Sequence, residues 1–318
     1  MAGEKKPRKH ARNQLNDLTG TEWIKFTKTW FELESESHPQ QAPIEPSRSW
    51  LIVDSPRYHR NRPTELHPAR YPEELVREFI QYFTKAGEWV LDPFAGSGAT
   101  LVAALETGRN SVGIELVARY AAIAGKRVSQ GSPQGAACVQ TGDARHLADP
   151  AFWQGEAPPG LPMGEEGLPV FDFVMTSPPY WDMLHHSRGG VESTHKRRAK
   201  KGLDTAYSDD PADLGNMDSY EEYLRQLCGI LAEAGRLLRP ERYLVVVAQN
   251  LRAPDGSIVT LAWDIQRELG RALQFQGERI WCQNSKRLGI WGYPRVFVPN
   301  YHHHYCLIFR RTAKAPET

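Results

Sequence analysis

Six consecutive residues, Thr176-Ser177-Pro178-Pro179-Tyr180-Trp181, concentrate groups able to hold a flat, amino-bearing ring. They offer a hydroxyl, a backbone carbonyl free of ladder pairing and two aromatic faces. The carbonyl accepts from an exocyclic amine, and Tyr180 can stack on the ring. The element that must position them is Phe171-Asp172-Phe173-Val174-Met175, an apolar run that predicts a buried strand. Neither proline can donate to a ladder, so the strand ends there. The chain then turns at the carboxyl edge of a sheet, where open α/β folds place ligands. By itself the stretch reads more simply as a proline-rich strand exit with core aromatics. A second motif upstream changes that.

Trp89-Val90-Leu91 predicts a buried strand running into Asp92-Pro93-Phe94-Ala95-Gly96-Ser97-Gly98-Ala99-Thr100. Leu101, Val102, Ala104 and Leu105 continue as a helix, which Gly108 ends. Glycines between a strand and a helix permit a tight turn and let a ligand approach the backbone. The third glycine of a dinucleotide fingerprint is missing, because Leu101 stands there. No lysine followed by Ser or Thr marks a phosphate loop. An acid ahead of the glycines, Asp92, instead suits a cationic amine such as that of S-adenosylmethionine. The next strand, Ser111 to Ile114, ends at Glu115, near the ~20-residue offset at which an acid meets ribose hydroxyls. A helix through Tyr120, Ile123 and Val128 follows, then a strand, Ala137 to Gln140, ahead of Asp143. Asp143 can accept from an adenine amine. Each acid alone is an ordinary turn residue or cap; three at successive strand ends predict a cofactor cleft.

The pieces HPARYP with its following helix, LDPFAGSGAT, VGIEL, TGDA, TSPPYW and YSDDPADLGN resemble the DNA amino-methyltransferases that modify N(4) of cytosine or N(6) of adenine. The resemblance runs over residues 65 to 220, and a closing hairpin extends it to Arg311. It implies a Rossmann-like, seven-stranded, mostly parallel α/β fold with S-adenosylmethionine as cofactor. His67, Pro68, Asp92, Pro93, Phe94, Ala95, Gly96 and Gly98 are then expected to bound the cofactor pocket, with Glu115 on ribose and Asp143 near adenine. Ser177, Pro178, Pro179 and Tyr180 are expected to hold a flipped base. The serine form of this turn is associated mainly with cytosine. Implied partners are double-stranded DNA and a cognate restriction endonuclease.

Composition agrees with this. The 318 residues are 40% hydrophobic and 24% charged, with a net charge of +1, so clusters rather than overall charge must meet a polyanion. Four cysteines without close pairing suggest neither a disulfide framework nor a zinc site, and fit a reducing cytoplasm. No run of ~18 apolar residues predicts a membrane span.

Residues 1–50 read as a basic tail and a helical extension, with Thr21 as cap and Trp23, Ile24, Phe26 and Trp30 on its apolar face. Residues 51–318 form the catalytic domain. Within it, Leu75, Val76, Phe79, Ile80 and Phe83 predict a helix with Pro72 in its first turn, stopped by Gly87. Tyr220 to Leu231 predict a helix ending near Pro240, Tyr243 to Ala248 a central strand, and Ile258 to Leu273 a helix. Arg279 to Cys282 and Tyr305 to Phe309 predict a final strand pair.

Two loops, around 183–217 and 283–300, are candidate DNA contacts. The first carries Arg188 and five cations, Lys196, Arg197, Arg198, Lys200 and Lys201, beside Trp181. The second mixes Lys286, Arg287 and Arg295 with aromatics. Both also read as charged surface. His302-His303-His304 does not predict a metal site, because alternation turns the middle ring to the opposite face.

The expected reaction is direct, in-line methyl transfer to the exocyclic amine of cytosine in DNA, on a base taken out of the stack. No cysteine follows a proline, so the nucleophile motif of carbon-5 cytosine methylation is absent. The rival readings are an N(6)-adenine DNA enzyme, an RNA base or protein-glutamine methyltransferase, and a non-catalytic DNA-binding module.

Overall fold

A computed structural model describes residues 13, 15–19, 30–31, 71–131, 134–154, 158–164, 166–181, 208, 210–253, 257–283 and 303–313. In chain order the elements are Trp30–Phe31 (β1), Glu73–Phe83 (α1), Trp89–Asp92 (β2), Ala99–Glu106 (α2), Asn110–Glu115 (β3), Ala118–Gln130 (α3), Ala137–Thr141 (β4) and Phe171–Thr176 (β5). Tyr220–Arg236 (α4), Leu238–Ala248 (β6), Leu251–Arg252 (β7), Ile258–Val259 (β8), Leu261–Leu269 (α5), Gln274–Cys282 (β9) and His303–Arg310 (β10) follow.

The main sheet has the order β1-β9-β10-β6-β5-β2-β3-β4. From β4 to β6 the strands run parallel, and β10 is reversed between β6 and β9. The expected seven strands are all present. The two residues of β1 add an eighth at the edge, parallel to β9. Trp30, expected on a helix, is therefore in a strand.

Strand residues alternate between two apolar layers, as a two-residue period demands. Val90, Phe173, Met175, Val245 and Val247 pack with α1, while Leu91, Val174, Leu244 and Val246 pack with α4 and α5. On α1, Leu75, Val76, Phe79 and Ile80 are fully buried, and the Phe83 ring stacks 5.2 Å from Phe173. Residues near the amino terminus join this layer. Leu15 and Leu18 pack against it, and Asn16 donates to the Tyr82 carbonyl.

Five expected boundaries move, each for a local reason. Pro72 caps α1 rather than sitting inside it, and α1 stops at Thr84, whose backbone is extended and whose hydroxyl turns back to the Ile80 carbonyl. Gly87 instead makes the left-handed turn into β2. The α4 helix ends at Arg236, and Pro240 lies within β6, in an exposed stretch beside Glu241 at φ 68°. The helix expected from Ile258 begins only at Leu261. Ile258 and Val259, β-branched and favouring extended backbone, pair with Leu251 and Arg252 instead. At its other end Gly270 caps α5, where an added Cβ would sit 2.7 Å from the Gln266 carbonyl oxygen.

A short turn of helix, Pro150–Trp153, follows β4 and buries Trp153. Among the described residues no helix is long and apolar enough to cross a membrane.

Candidate functional site

The carboxyl ends of β2, β3, β4 and β5 surround one open cleft of about 860 Å³. Its floor is the glycine turn. Gly96 and Gly98 both take left-handed backbone, at φ 53° and 83°, a conformation that costs other residues about 1–2 kcal/mol. Gly98 is also sterically required: a Cβ there would lie 2.8 Å from the Ala124 Cβ on α3. Pro93, Phe94, Ala95, Gly96 and Ser97 line the cleft, whereas Gly98 supports it from behind. On the flank, Arg127 of α3 donates to the Ser97 carbonyl at 2.6 Å and pairs with Glu73 of α1.

Glu115 stands at the end of β3 and fastens the turn. Its two carboxylate oxygens accept from the Gly96 amide at 2.8 Å and the Val117 amide at 2.9 Å. Burial nevertheless pushes the carboxyl up to about 7, against the opposing pull of those two bonds. A group left so high by burial gains from additional hydrogen-bond donors. The ribose hydroxyls of a ligand in this cleft would be such donors.

Asp143 follows β4 and also lines the cleft. Burial raises its carboxyl, but hydrogen bonds and charge from Arg145 outweigh this and hold it below the ordinary carboxylate range. The Arg145 Nε contact is 2.8 Å. Asp143 is thus an ionised acceptor. Its neighbour Gly142 is confined by Phe152, whose ring an added Cβ would meet at 2.8 Å.

Ser177, Pro178 and Pro179 line the opposite wall. This turn has few amides of its own to secure it, so side chains do the work. Thr176 donates to Asp92 at 2.6 Å, Tyr223 of α4 donates to the Pro179 carbonyl at 2.7 Å, and the Trp181 indole donates to the Met217 carbonyl at 2.8 Å. Pro178 keeps its carbonyl clear of these ties.

Two expected residues sit differently. Asp92, expected to meet a ligand amine, is 0% exposed and does not line the cleft. Its carboxylate accepts from the Phe94 amide and from the hydroxyls of Tyr71, Thr100 and Thr176. Tyr180, expected to offer a stacking face, is 6% exposed and packs in the core. Its hydroxyl bonds to Ser177, and burial pushes its ionisation well above the usual phenol range. In this arrangement Tyr180 does not line the cleft.

The structure adds residues that sequence reasoning missed. Tyr71 lines the cleft, as do Ala212, Asp213 and Leu214. Asp213 is buried and accepts from Ser208 and the Gly215 amide. Both Tyr71 and Asp213 lie inside motifs quoted above, HPARYP and YSDDPADLGN, so the signal was present but not assigned to single residues. Tyr223 read only as one position of an apolar helix stripe.

His67, Pro68, Arg188, Lys196, Arg197, Arg198, Lys200, Lys201, Lys286, Arg287 and Arg295 lie outside the described residues. Among the described residues no cluster of His, Cys, Asp or Glu could hold a metal ion.

Five parallel strands, a reversed strand inserted beside the edge and a cleft at the carboxyl ends constitute the Rossmann-like fold of S-adenosylmethionine-dependent methyltransferases. The residues present fit that cofactor. The left-handed glycine turn leaves room for its methionine part, Glu115 awaits hydroxyl donors, and ionised Asp143 can accept from an adenine amine.

Residues 4–126 match the family model described as DNA methylase, of the N(6)/N(4) group. The chain is 43% identical over 70 residues to the Type II methyltransferase M.MjaI of Methanocaldococcus jannaschii, a match spanning 22% of each chain. It is 45% identical over 62 residues to the Type II methyltransferase M2.DpnII of Streptococcus pneumoniae, covering 20% of this chain and 23% of that enzyme. These matches thus span less than a quarter of either relative's length. A SAM-dependent methyltransferase from Methanosarcina mazei superposes with a TM-score of 0.42 at 13% identity, over 77% of this chain and 99% of that one. So distant an overlap carries no weight in the assignment. Over the matched segments, the chain is similar to DNA amino-methyltransferases.

Proposed function

We propose that the protein transfers a methyl group from S-adenosylmethionine to the exocyclic amine of cytosine in duplex DNA, giving N(4)-methylcytosine. One observation carries the reading: Ser177 and Pro178 line the same cleft as Gly96, Glu115 and Asp143. The cofactor, when bound, supplies an electrophilic methyl on a sulfonium. The protein's task is positioning, which in such reactions contributes many orders of magnitude in rate.

The Pro178 carbonyl and the Ser177 hydroxyl accept the two amine hydrogens, which aims the nitrogen lone pair into the cleft. Tyr180, bonded to Ser177, fixes the direction of that hydroxyl. Tyr223 and Trp181 hold the turn so that neither proline carbonyl drifts. The base must first leave the stack, as for other enzymes acting on a base edge. Arg188, the Lys196–Lys201 cluster, Lys286, Arg287 and Arg295 would grip backbone phosphates and release counterions.

Serine is the basis for choosing cytosine. It is shorter than the Asp or Asn common in adenine enzymes and carries no charge, which suits a pyrimidine amine. The names of the relatives, Type II methyltransferases, support methyl transfer as the reaction.

The test is to incubate the full chain with duplex DNA and S-adenosylmethionine, digest to nucleosides and resolve them by mass spectrometry. N(4)-methylcytosine is expected. N(6)-methyladenine as the main product would overturn the serine argument. Methylation of RNA with none of DNA would overturn the substrate.

A further inference from the structure

The Asp92 carboxylate joins four segments: the turn that follows it, the helix after that turn, the stretch ahead of α1 and the end of β5. Its Oδ1 accepts from the Phe94 amide at 3.1 Å and from Thr176 at 2.6 Å. Its Oδ2 accepts from Tyr71 at 3.0 Å and from Thr100, whose two hydroxyl oxygens lie side by side. Phe94 belongs to the cofactor turn and Thr100 to the helix after it. Tyr71 is a cleft wall ahead of α1, and Thr176 directly precedes Ser177. Asp92, Thr100 and Thr176 are each 0% exposed, and Tyr71 is 8% exposed.

A buried carboxylate is costly unless its lone pairs are filled, and here they are filled by groups that bound the two halves of the cleft. The Phe94 and Thr176 donors share one oxygen, so a shift in the cofactor turn is felt directly at the residue preceding the base-presenting turn. Thr176 also pairs with Val246 in the sheet register. Its backbone is fixed while its side chain reports to Asp92.

We infer that Asp92 is a positioning residue that couples the cofactor turn to the Ser177–Pro179 turn through Thr176, setting the base-binding groups when the cofactor seats. The inference rests on the proposed reading of the cleft, and it gives Asp92 a role other than direct ligand contact. Thr176 is the arm to cut, because valine preserves its branched shape and strand preference and removes only the donor.

The experiment measures amide hydrogen exchange with and without S-adenosylmethionine in the full-length wild type, Thr176→Val and Thr176→Ser. It also measures single-turnover methyl transfer at saturating cofactor and DNA. In the wild type, cofactor should slow exchange in residues 93–98 and in residues 175–181. Thr176→Val should keep the first protection and lose the second. Its cofactor affinity should stay within about twofold, and its transfer rate should fall on the order of 10–100-fold, the penalty of a misplaced reacting group. Thr176→Ser, which restores the donor, should recover both.

Protection that reaches 175–181 in Thr176→Val, or stops at 98 in the wild type, would overturn the coupling. So would loss of protection throughout the sheet, which would mean that Thr176 serves only the fold. If the wild type binds cofactor yet methylates no nucleic acid, the substrate reading fails, and the exchange pattern still decides the coupling.

Discussion

The two walls of the cleft are built by opposite means. The cofactor wall is secured mainly through its own backbone groups, held by Glu115 and Arg127. Gly96 and Gly98 make the turn, and Glu115, one strand away, accepts the Gly96 and Val117 amides. The base wall carries two prolines in succession and must be held by side chains from elsewhere. Thr176 reaches Asp92 across 84 residues, Tyr223 reaches Pro179 across 44, and Trp181 reaches Met217 across 36. A wall of amides is a rigid receptor for a ligand that is always the same. A wall of side-chain ties can be adjusted one tie at a time, which suits the half of the site that selects a substrate.

The comparison is broken most severely at Gly98. Gly98→Val forces a branched side chain into left-handed backbone and against Ala124, for a combined cost of about 2–5 kcal/mol. No cofactor binding should be detectable by calorimetry, and the melting temperature should fall. Unchanged affinity in a folded Gly98→Val protein would remove the glycine turn from the site.

Glu115→Gln probes the same wall more gently. One carboxylate oxygen becomes a donor facing an amide, and the charge that would receive ribose hydroxyls is lost. Hydrogen bonds to charged groups contribute about 1.5–3 kcal/mol, so cofactor affinity should weaken roughly 10–100-fold.

The wild-type protein should show a related pH effect. Burial lifts the Glu115 carboxyl from 4.5 to about 7, so the free fold favours its protonated form. That contribution to stability is complete below about 4.5 and disappears as pH rises through about 7. Hydroxyl donors favour the ionised form, so cofactor binding releases a proton. Affinity should therefore rise as pH increases towards about 7 and level off above it. At pH 6 it should be about tenfold weaker than its plateau. Titration calorimetry across pH checks this, and Glu115→Gln should flatten the curve.

Tyr223→Phe gives the smallest expected effect and the cleanest contrast. It removes one hydroxyl from the base wall, a loss of about 0.5–1.5 kcal/mol. Methyl transfer should slow roughly 2–10-fold while cofactor affinity stays unchanged. A matching loss of cofactor affinity would show that the two walls are not held independently at this point.

The same contrast explains how much was legible in the sequence. The cofactor wall was readable because its determinants are consecutive: an apolar strand, an acid, then glycines, repeated as strand and acid at Glu115 and Asp143. The seven-stranded, mostly parallel fold followed from the motif resemblance, and the alternation of Val90 with Leu91 or Met175 with Val174 follows from a two-residue period. Asp92 was expected at the ligand and is instead buried behind the cleft, for a physical reason. A strand-end acid looks the same whether ligands or distant hydroxyls fill its lone pairs, and here Tyr71, Thr100 and Thr176 fill them. The placement of Tyr180 in the core was not legible either, since spacing does not reveal whether a ring after two prolines turns to the cleft or into the core. At Ile258 a helix stripe and a short β-branched strand share the same apolar residues, and only the pairing with Leu251 and Arg252 decides between them.

The central claim is that one cleft brings methyl donor and base together. Its most direct test follows isotopically labelled methyl from S-adenosylmethionine into duplex DNA, using the wild type, Gly98→Val and Ser177→Ala side by side. The account predicts label in DNA with the wild type and none with Gly98→Val. With Ser177→Ala it predicts a much reduced rate at unchanged cofactor affinity. Full incorporation by Gly98→Val, or label that enters protein or RNA while duplex DNA stays unlabelled, would contradict it.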